Sequence, residues 1–448
     1  MAGENLVQRP GLARRAALLA PLALGGCSWI GSWFTTKKTP LPGKRELVVG
    51  TEHGLAVDKD APRVMLPPPV RNAAWPQAGG NPSHAMGHLA ANASLREAWR
   101  VGIGEGGGYR RKILAQPVVA NGLVYTMDSD AVVSAFELSS GRRVWRTRTR
   151  GKDVDSTNVG GGIGVEGGTL YAINGLADAL ALDAARGTVK WRRDIGAPGR
   201  SAPTIVEGRL FFTTIEDKTL ALATADGHQI WEYQAASAAP AVLGRPAPAF
   251  ANGLLVAAYS SGELACLHAD SGAVVWTENL GSPAGSTSAA QFSAIRGRPA
   301  ISNGRVFATG MGGSTLGLDL PSGRRLWERE VGGADSPWVA GDWLFLVALS
   351  QELAAISVAD GRVAWVSALP RWDNPKDQRG PISWWGPVLL GDRLVVASTN
   401  KNALSVSPYT GAILGRQKLS AAAAPLEPVV ADGTLLIVSD NGQLLALR

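Results

Sequence analysis

Beyond residue 75 the chain alternates short apolar runs with polar turn signals. Val118-Val119, Leu123-Val124-Tyr125-Thr126 and Val132-Val133-Ser134-Ala135-Phe136 have strand length and run apolar or alternate. Asn-Gly and Asp-Gly pairs stand between such runs, and these are hairpin turn residues. No segment of useful length follows the helical period after residue 75. The pattern therefore predicts short antiparallel strands joined by tight turns.

Two spaced signals show that these strands repeat. The first is a glycine followed four residues later by tryptophan: Gly141/Trp145, Gly187/Trp191, Gly227/Trp231, Gly272/Trp276, Gly323/Trp327 and Gly361/Trp365. Trp99 has the same apolar surroundings, and Gly411 leads to Gly415, where the tryptophan slot is empty. The second is a proline, then a glycine five residues on, then an apolar residue, as in Pro117…Gly122…Tyr125. It recurs from Pro203, Pro248, Pro299, Pro337, Pro387 and Pro428, with Ile163 filling the second position and Asp342 and Asp392 replacing two glycines. Each signal has eight slots, spaced by about 45 residues.

Four short strands per repeat of this length describe a propeller blade. The expected fold is an all-β, eight-bladed propeller of four-stranded antiparallel blades over 75–448, with seven blades the nearest alternative. The slot order begins with a tryptophan strand at Trp99 and ends with a proline slot at Pro428. The N-terminal strand should therefore complete the last blade and close the ring, which removes free sheet edges. Trp99, Trp145, Trp191, Trp231, Trp276, Trp327 and Trp365 are the expected inter-blade packing residues, each a large flat side chain between adjacent sheets.

Composition narrows the class. Glycine (55) and proline (27) make about 18% of 448 residues, against roughly 12% in average proteins, which disfavours a helical bundle. A hydrophobic content of 45% excludes a mostly disordered chain. Two cysteines exclude Cys-rich zinc modules and covalent haem attachment. The net charge of +7 is spread along the chain, with Arg110-Arg111-Lys112 its longest cluster, so no nucleic-acid partner is expected.

The N-terminus reads as an address. Arg9, Arg14 and Arg15 precede an apolar stretch from Ala16 to about Leu24, too short to span a bilayer. Leu24-Gly25-Gly26-Cys27 resembles the lipobox of bacterial lipoproteins, in which the cysteine thiol receives the lipid. Residues 1–26 are the expected signal peptide, Cys27 the lipidation site, and 27–74 a tether stiffened by Pro40, Pro42 and Pro67-Pro68-Pro69. One other thiol, Cys266, then remains.

The segment Ala179–Trp191, with Asp183, Gly187 and Trp191 in register, resembles the tryptophan-docking repeat of pyrroloquinoline quinone (PQQ) dehydrogenases and their non-catalytic relatives. Leu318-Asp319-Leu320-Pro321-Ser322-Gly323-Arg324-Arg325-Leu326-Trp327 is a second copy. With the lipobox and eight units, residues 16–448 resemble the BamB family of lipoproteins of the outer-membrane β-barrel assembly (BAM) machinery. The resemblance implies a non-catalytic scaffold, lipid-anchored at the periplasmic face of the outer membrane. Its implied partners are the POTRA domains of BamA, other BAM components and unfolded outer-membrane proteins. Two loops carry the implied BamA contact, one with Leu243 and Arg245, the other with Ser293, Ile295, Arg296 and Arg298. The family pattern has acidic residues in the second loop, and this chain has basic ones.

Many alcohol-oxidising quinone dehydrogenases hold the cofactor with a vicinal cysteine pair, which Cys27 and Cys266 cannot form. No catalytic residue, cofactor or metal is therefore expected; a quinone dehydrogenase, or a propeller binding another envelope partner or a small ligand, is the alternative. Gly102-Ile103-Gly104-Glu105-Gly106-Gly107 fits GxGxxG but lacks a following helix. His84 and His88 have helical spacing but no third ligand. The insertion between Trp365 and Pro387, with Arg371, Trp372, Trp384 and Trp385, is rich in residues favoured at binding hot spots.

Overall fold

The computed structural model describes residues 55–91, 95–109, 111–151, 158–236, 246–280 and 294–448. Eight four-stranded antiparallel sheets succeed one another along the chain. Blade 1 comprises Val118–Ala120, Leu123–Met127, Val132–Glu137 and Arg143–Arg148. Blades 2 to 7 begin at Gly161, Thr204, Ala249, Ala300, Trp338 and Trp384. Blade 8 takes Val429–Ala431, Thr434–Val438 and Gln443–Leu447 from the C-terminal part, and Glu97–Gly102 from the N-terminal part as its outer strand. The ring closes as the order of the repeats predicts.

Local chemistry sets each blade. Asn121 and Gly122 both have positive φ, as do Asn252/Gly253, Asn303/Gly304 and Asp432/Gly433, so these pairs make the mirror-image turns that match strand twist. The second and third strands of each blade are almost wholly buried, whereas the fourth is largely exposed and is more covered at its tryptophan. Every third-to-fourth strand pair carries a register shift just before the tryptophan slot, as between Ala221 and Leu222 opposite Trp231. A bulge there re-aims the side chain that follows.

The seven tryptophans join blade to blade by one recurring contact. Trp145 Nε1 donates to the carbonyl of Ala184 at 2.9 Å, and its ring lies where a Cβ on Gly187 would stand, 2.4 Å from such an atom. Trp191 does the same to Thr224 and Gly227, and Trp231 to Ala269 and Gly272. Trp276 meets Leu320 and Gly323, Trp327 meets Val358 and Gly361, and Trp365 meets Pro408 and Gly411. Trp99, on the N-terminal strand, docks on Leu138 and Gly141 of blade 1 and closes the ring. Each repeat glycine is thus the platform for the preceding blade's indole. Its φ near +70° and the absent Cβ are both required.

Residues 55–91 pack against the blades. The tether expected over 27–74 is engaged well before its end: Asp58 bonds Val363 by its backbone N–H and its carboxylate, and pairs with Arg329. From Asn72 to Leu89 the chain touches the innermost strand region of every blade in turn. Trp75 bridges Val119, Pro76 accepts from Val165, and Gln77 accepts from Ile205. Pro82 accepts from Phe250, Ser83 from Ile301, and Gly87 from the Trp338 indole. Leu89 bridges Leu390, and Asn72 accepts from Asp432. One irregular segment therefore ties all eight blades together, with its backbone groups satisfied by theirs.

Candidate partner-binding site

Two long connections leave adjacent blades, one after Gln229–Gln234 of blade 3 and one after Val274–Asn279 of blade 4. Leu243, Arg245 and Ser293 lie on them, outside the described residues, as does Cys27. The feet of both connections are described, and both are set in buried polar chemistry.

At the first foot, Glu263 accepts from the Tyr233 hydroxyl at 2.8 Å and from the backbone N–H of Ala236 at 3.0 Å. Burial, then the bond to Glu263, holds the Tyr233 hydroxyl well above its ordinary pKa, so it stays a donor. At the second foot, the backbone N–H of Ile295 donates to Tyr259 at 3.1 Å and its carbonyl accepts from Arg200 at 3.1 Å. Arg200 is 2% exposed and pairs with Asp217 at 3.2 Å, and Asp217 also accepts from the N–H of Ser260. Burial lowers the Arg200 guanidinium to about 10, against the opposing pull of Asp217, so it remains charged. The Tyr259 hydroxyl, paired with Thr219 at 2.6 Å, lies beside this network.

The predicted contact residues divide by this geometry. Ile295 is 1% exposed and packs in the core of blades 4 and 5. Arg298 is also buried, paired with Glu427 at 3.3 Å, its backbone N–H bonded to Ser336. Neither presents a side chain to a partner in this structure. Arg296 is half-buried and is the one described member of the set with side-chain surface to offer.

The remaining candidates are absorbed by the fold. His84 donates from Nδ1 to the carbonyl of Pro299 at 2.8 Å, and burial, then the nearby Arg298 charge, lowers its pKa to about 3. His88 contacts the carbonyls of Pro67 and Gly391. Among the described residues no group of three or more potential metal ligands occurs. Gly102–Gly107 passes from strand to loop, with Gly107 bonded to Asp440. The insertion after Trp365 is a small hairpin of Trp372–Asn374 and Arg379–Pro381. Arg371 donates twice to the carbonyl of Ser350 in blade 6, and the Trp384 indole at the start of blade 7 donates to the carbonyl of Pro370, just after blade 6, so both side chains are engaged within the fold. Cys266 is fully buried, which pushes its thiol up to about 12.

A closed ring of eight blades joined by docked tryptophans defines the class as a PQQ-like repeat propeller. The chain belongs to the outer membrane protein assembly factor BamB family, whose model matches residues 129–367, more than half of its length. The BamB of Escherichia coli K12 is 27% identical over 356 residues, spanning 78% of this chain and 88% of that protein. The BamB of Xanthomonas campestris is 24% identical over 450 residues, 99% of both chains. The crystal structure of BamB from Moraxella catarrhalis superposes with a TM-score of 0.67 at 18% identity, over 79% of this chain and 100% of that one. Quinohemoprotein alcohol dehydrogenase from Comamonas testosteroni superposes with a TM-score of 0.64 at 13% identity, over 84% of this chain and 81% of that one, and so shares the fold.

Proposed function

We propose that this chain is a non-catalytic scaffold of the outer-membrane β-barrel assembly machinery, held at the periplasmic face of the outer membrane by lipid on Cys27. The loops after blades 3 and 4 contact the POTRA domains of BamA. The observation that carries this reading is the common footing of those loops: in a member of the BamB family, Glu263 and the Arg200–Asp217 pair fix two neighbouring loops on one rigid base. A preorganised base lowers the ordering cost of binding. In the second loop Arg296 stands where the family pattern is acidic, so the POTRA surface that matches this loop is acidic.

The axis supports a role without bond chemistry. Trp75 stacks on Trp338 at 6.3 Å, Arg298 pairs with Glu427, and the cavity between them is about 20 Å³. A quinone cofactor needs a pocket of several hundred Å³. The dehydrogenase reading rests on the shared fold alone, and fold does not fix activity.

The test is a crosslinked pull-down of the full chain from membranes, with Cys27 intact and partners identified by mass spectrometry. Recovery of BamA, lost on Arg245→Glu with Arg296→Glu, supports the reading. Outer-membrane fractionation without BamA overturns the role, and a stoichiometric quinone chromophore would move the chain to the dehydrogenases.

A further inference from the structure

Seven of the eight blade junctions are filled by an indole, and the eighth, between blades 7 and 8, is not. Gly415 occupies the tryptophan position there, opposite Ser405, and a Cβ built on it meets no atom within 4 Å. The glycine platform is missing as well. In the other blades it lies in the hairpin between third and fourth strands, whereas blade 8 takes those strands from opposite parts of the sequence. The result is an open cleft of about 700 Å³. Its apolar lining includes the buried Leu435 and Leu447 of blade 8 and the exposed Leu414 of blade 7. Exposed Arg96, Asp392 and Arg416 and half-buried Arg393 also line it.

We propose that this cleft is a binding site for an aromatic side chain, tryptophan or phenylalanine, carried with a neighbouring carboxylate on an extended segment of a partner protein. Two separate observations select that occupant. The first is shape: the same space between blades accepts a flat ring at every other junction of the ring. The second is charge: the arginines outnumber the one lining carboxylate, Asp392, which already accepts from the Tyr409 hydroxyl, so the balance favours a carboxylate on the occupant, and a guanidinium also stacks on an aromatic face. The site does not depend on the proposed BamA contact, since its residues belong to blades 7 and 8 and to the segment that leads into the outer strand of blade 8.

The probe is a fluorescein-labelled peptide, Gly-Glu-Trp-Glu-Gly, titrated against the full chain in detergent and followed by anisotropy. Saturable binding is expected, weakened at least tenfold when alanine replaces the peptide's tryptophan, and several-fold by Arg416→Glu. Gly415→Trp, which supplies the missing indole from within, should abolish binding without lowering the melting temperature. Equal binding of the tryptophan and alanine peptides overturns the proposal. So does unchanged binding by a folded Gly415→Trp variant, or the absence of saturable binding. Should Gly415→Trp fail to fold, Arg96→Glu with Arg416→Glu decides: unchanged binding there rejects the site.

Discussion

Arg298 and Glu427 meet at the axis of the ring, 3.3 Å apart, each with a side chain 5% exposed. One precedes the inner strand of blade 5 and the other the inner strand of blade 8. Ser336, before blade 6, donates to the same carboxylate from its hydroxyl and backbone N–H. The pair therefore locks three blades where the ring has no sheet hydrogen bonds between them. Removing one partner strands a buried charge, which costs about 3–5 kcal/mol. Arg298→Met and Glu427→Gln should each destabilise by that order in denaturant unfolding. The double variant should lose clearly less than the sum, because neither charge is then left alone.

His84 gives the fold a pH dependence with a defined sign. Its folded pKa is lowered to about 3, by burial first and the Arg298 charge second, from an ordinary 6.5. Below pH 6.5 the unfolded chain takes a proton that the folded chain refuses until about pH 3. The contribution of neutral His84 is thus complete above pH 6.5 and is lost as pH falls toward 3, by up to about 1.4 kcal/mol per pH unit. His84 has φ +58°, and its Nδ1 donates to Pro299. Asn tolerates that backbone and can place a donor similarly. His84→Asn should therefore flatten melting temperature against pH between 6.5 and 4, compared with the unmodified chain.

The blade junctions predict a paired mutational result. Trp327 is 7% exposed, packs on Phe307 within its blade at 5.9 Å, and docks on Gly361 of the next. Trp327→Ala should cost about 3–5 kcal/mol, as large-to-small core changes do. Gly361→Ala should also destabilise, by about 1–3 kcal/mol, since its Cβ would stand 2.8 Å from the indole at φ +73°. Chemical denaturation of the two variants checks both. An unaffected Gly361→Ala would contradict the platform role of the glycine.

The blades were legible because their information is local and recurs. A glycine turn, a strand and a tryptophan lie within a few residues of one another, and eight copies fix both period and closure. The partner of each indole was not visible in any one copy: Trp327 bonds to Val358, in the following repeat. The stitch from Asn72 to Leu89 has no period, because each blade receives only one or two bonds from it. The boundary expected at residue 74 therefore divides it between tether and propeller. Ile295 and Arg298 sat in a polar, arginine-rich stretch that resembles a surface loop. What buries Arg298 is Glu427, from the far end of the chain, and no spacing rule links the two.

The central claim is a docking one, and direct binding tests it. Purified BamA periplasmic domains would be immobilised and the full chain titrated over them by interferometry. The account predicts saturable binding that weakens with salt, as screened charge pairs do. It further predicts a rise in Kd of at least tenfold for Arg245→Glu with Arg296→Glu, with the melting temperature unchanged. Absence of binding, or binding that ignores both arginines, would contradict the account.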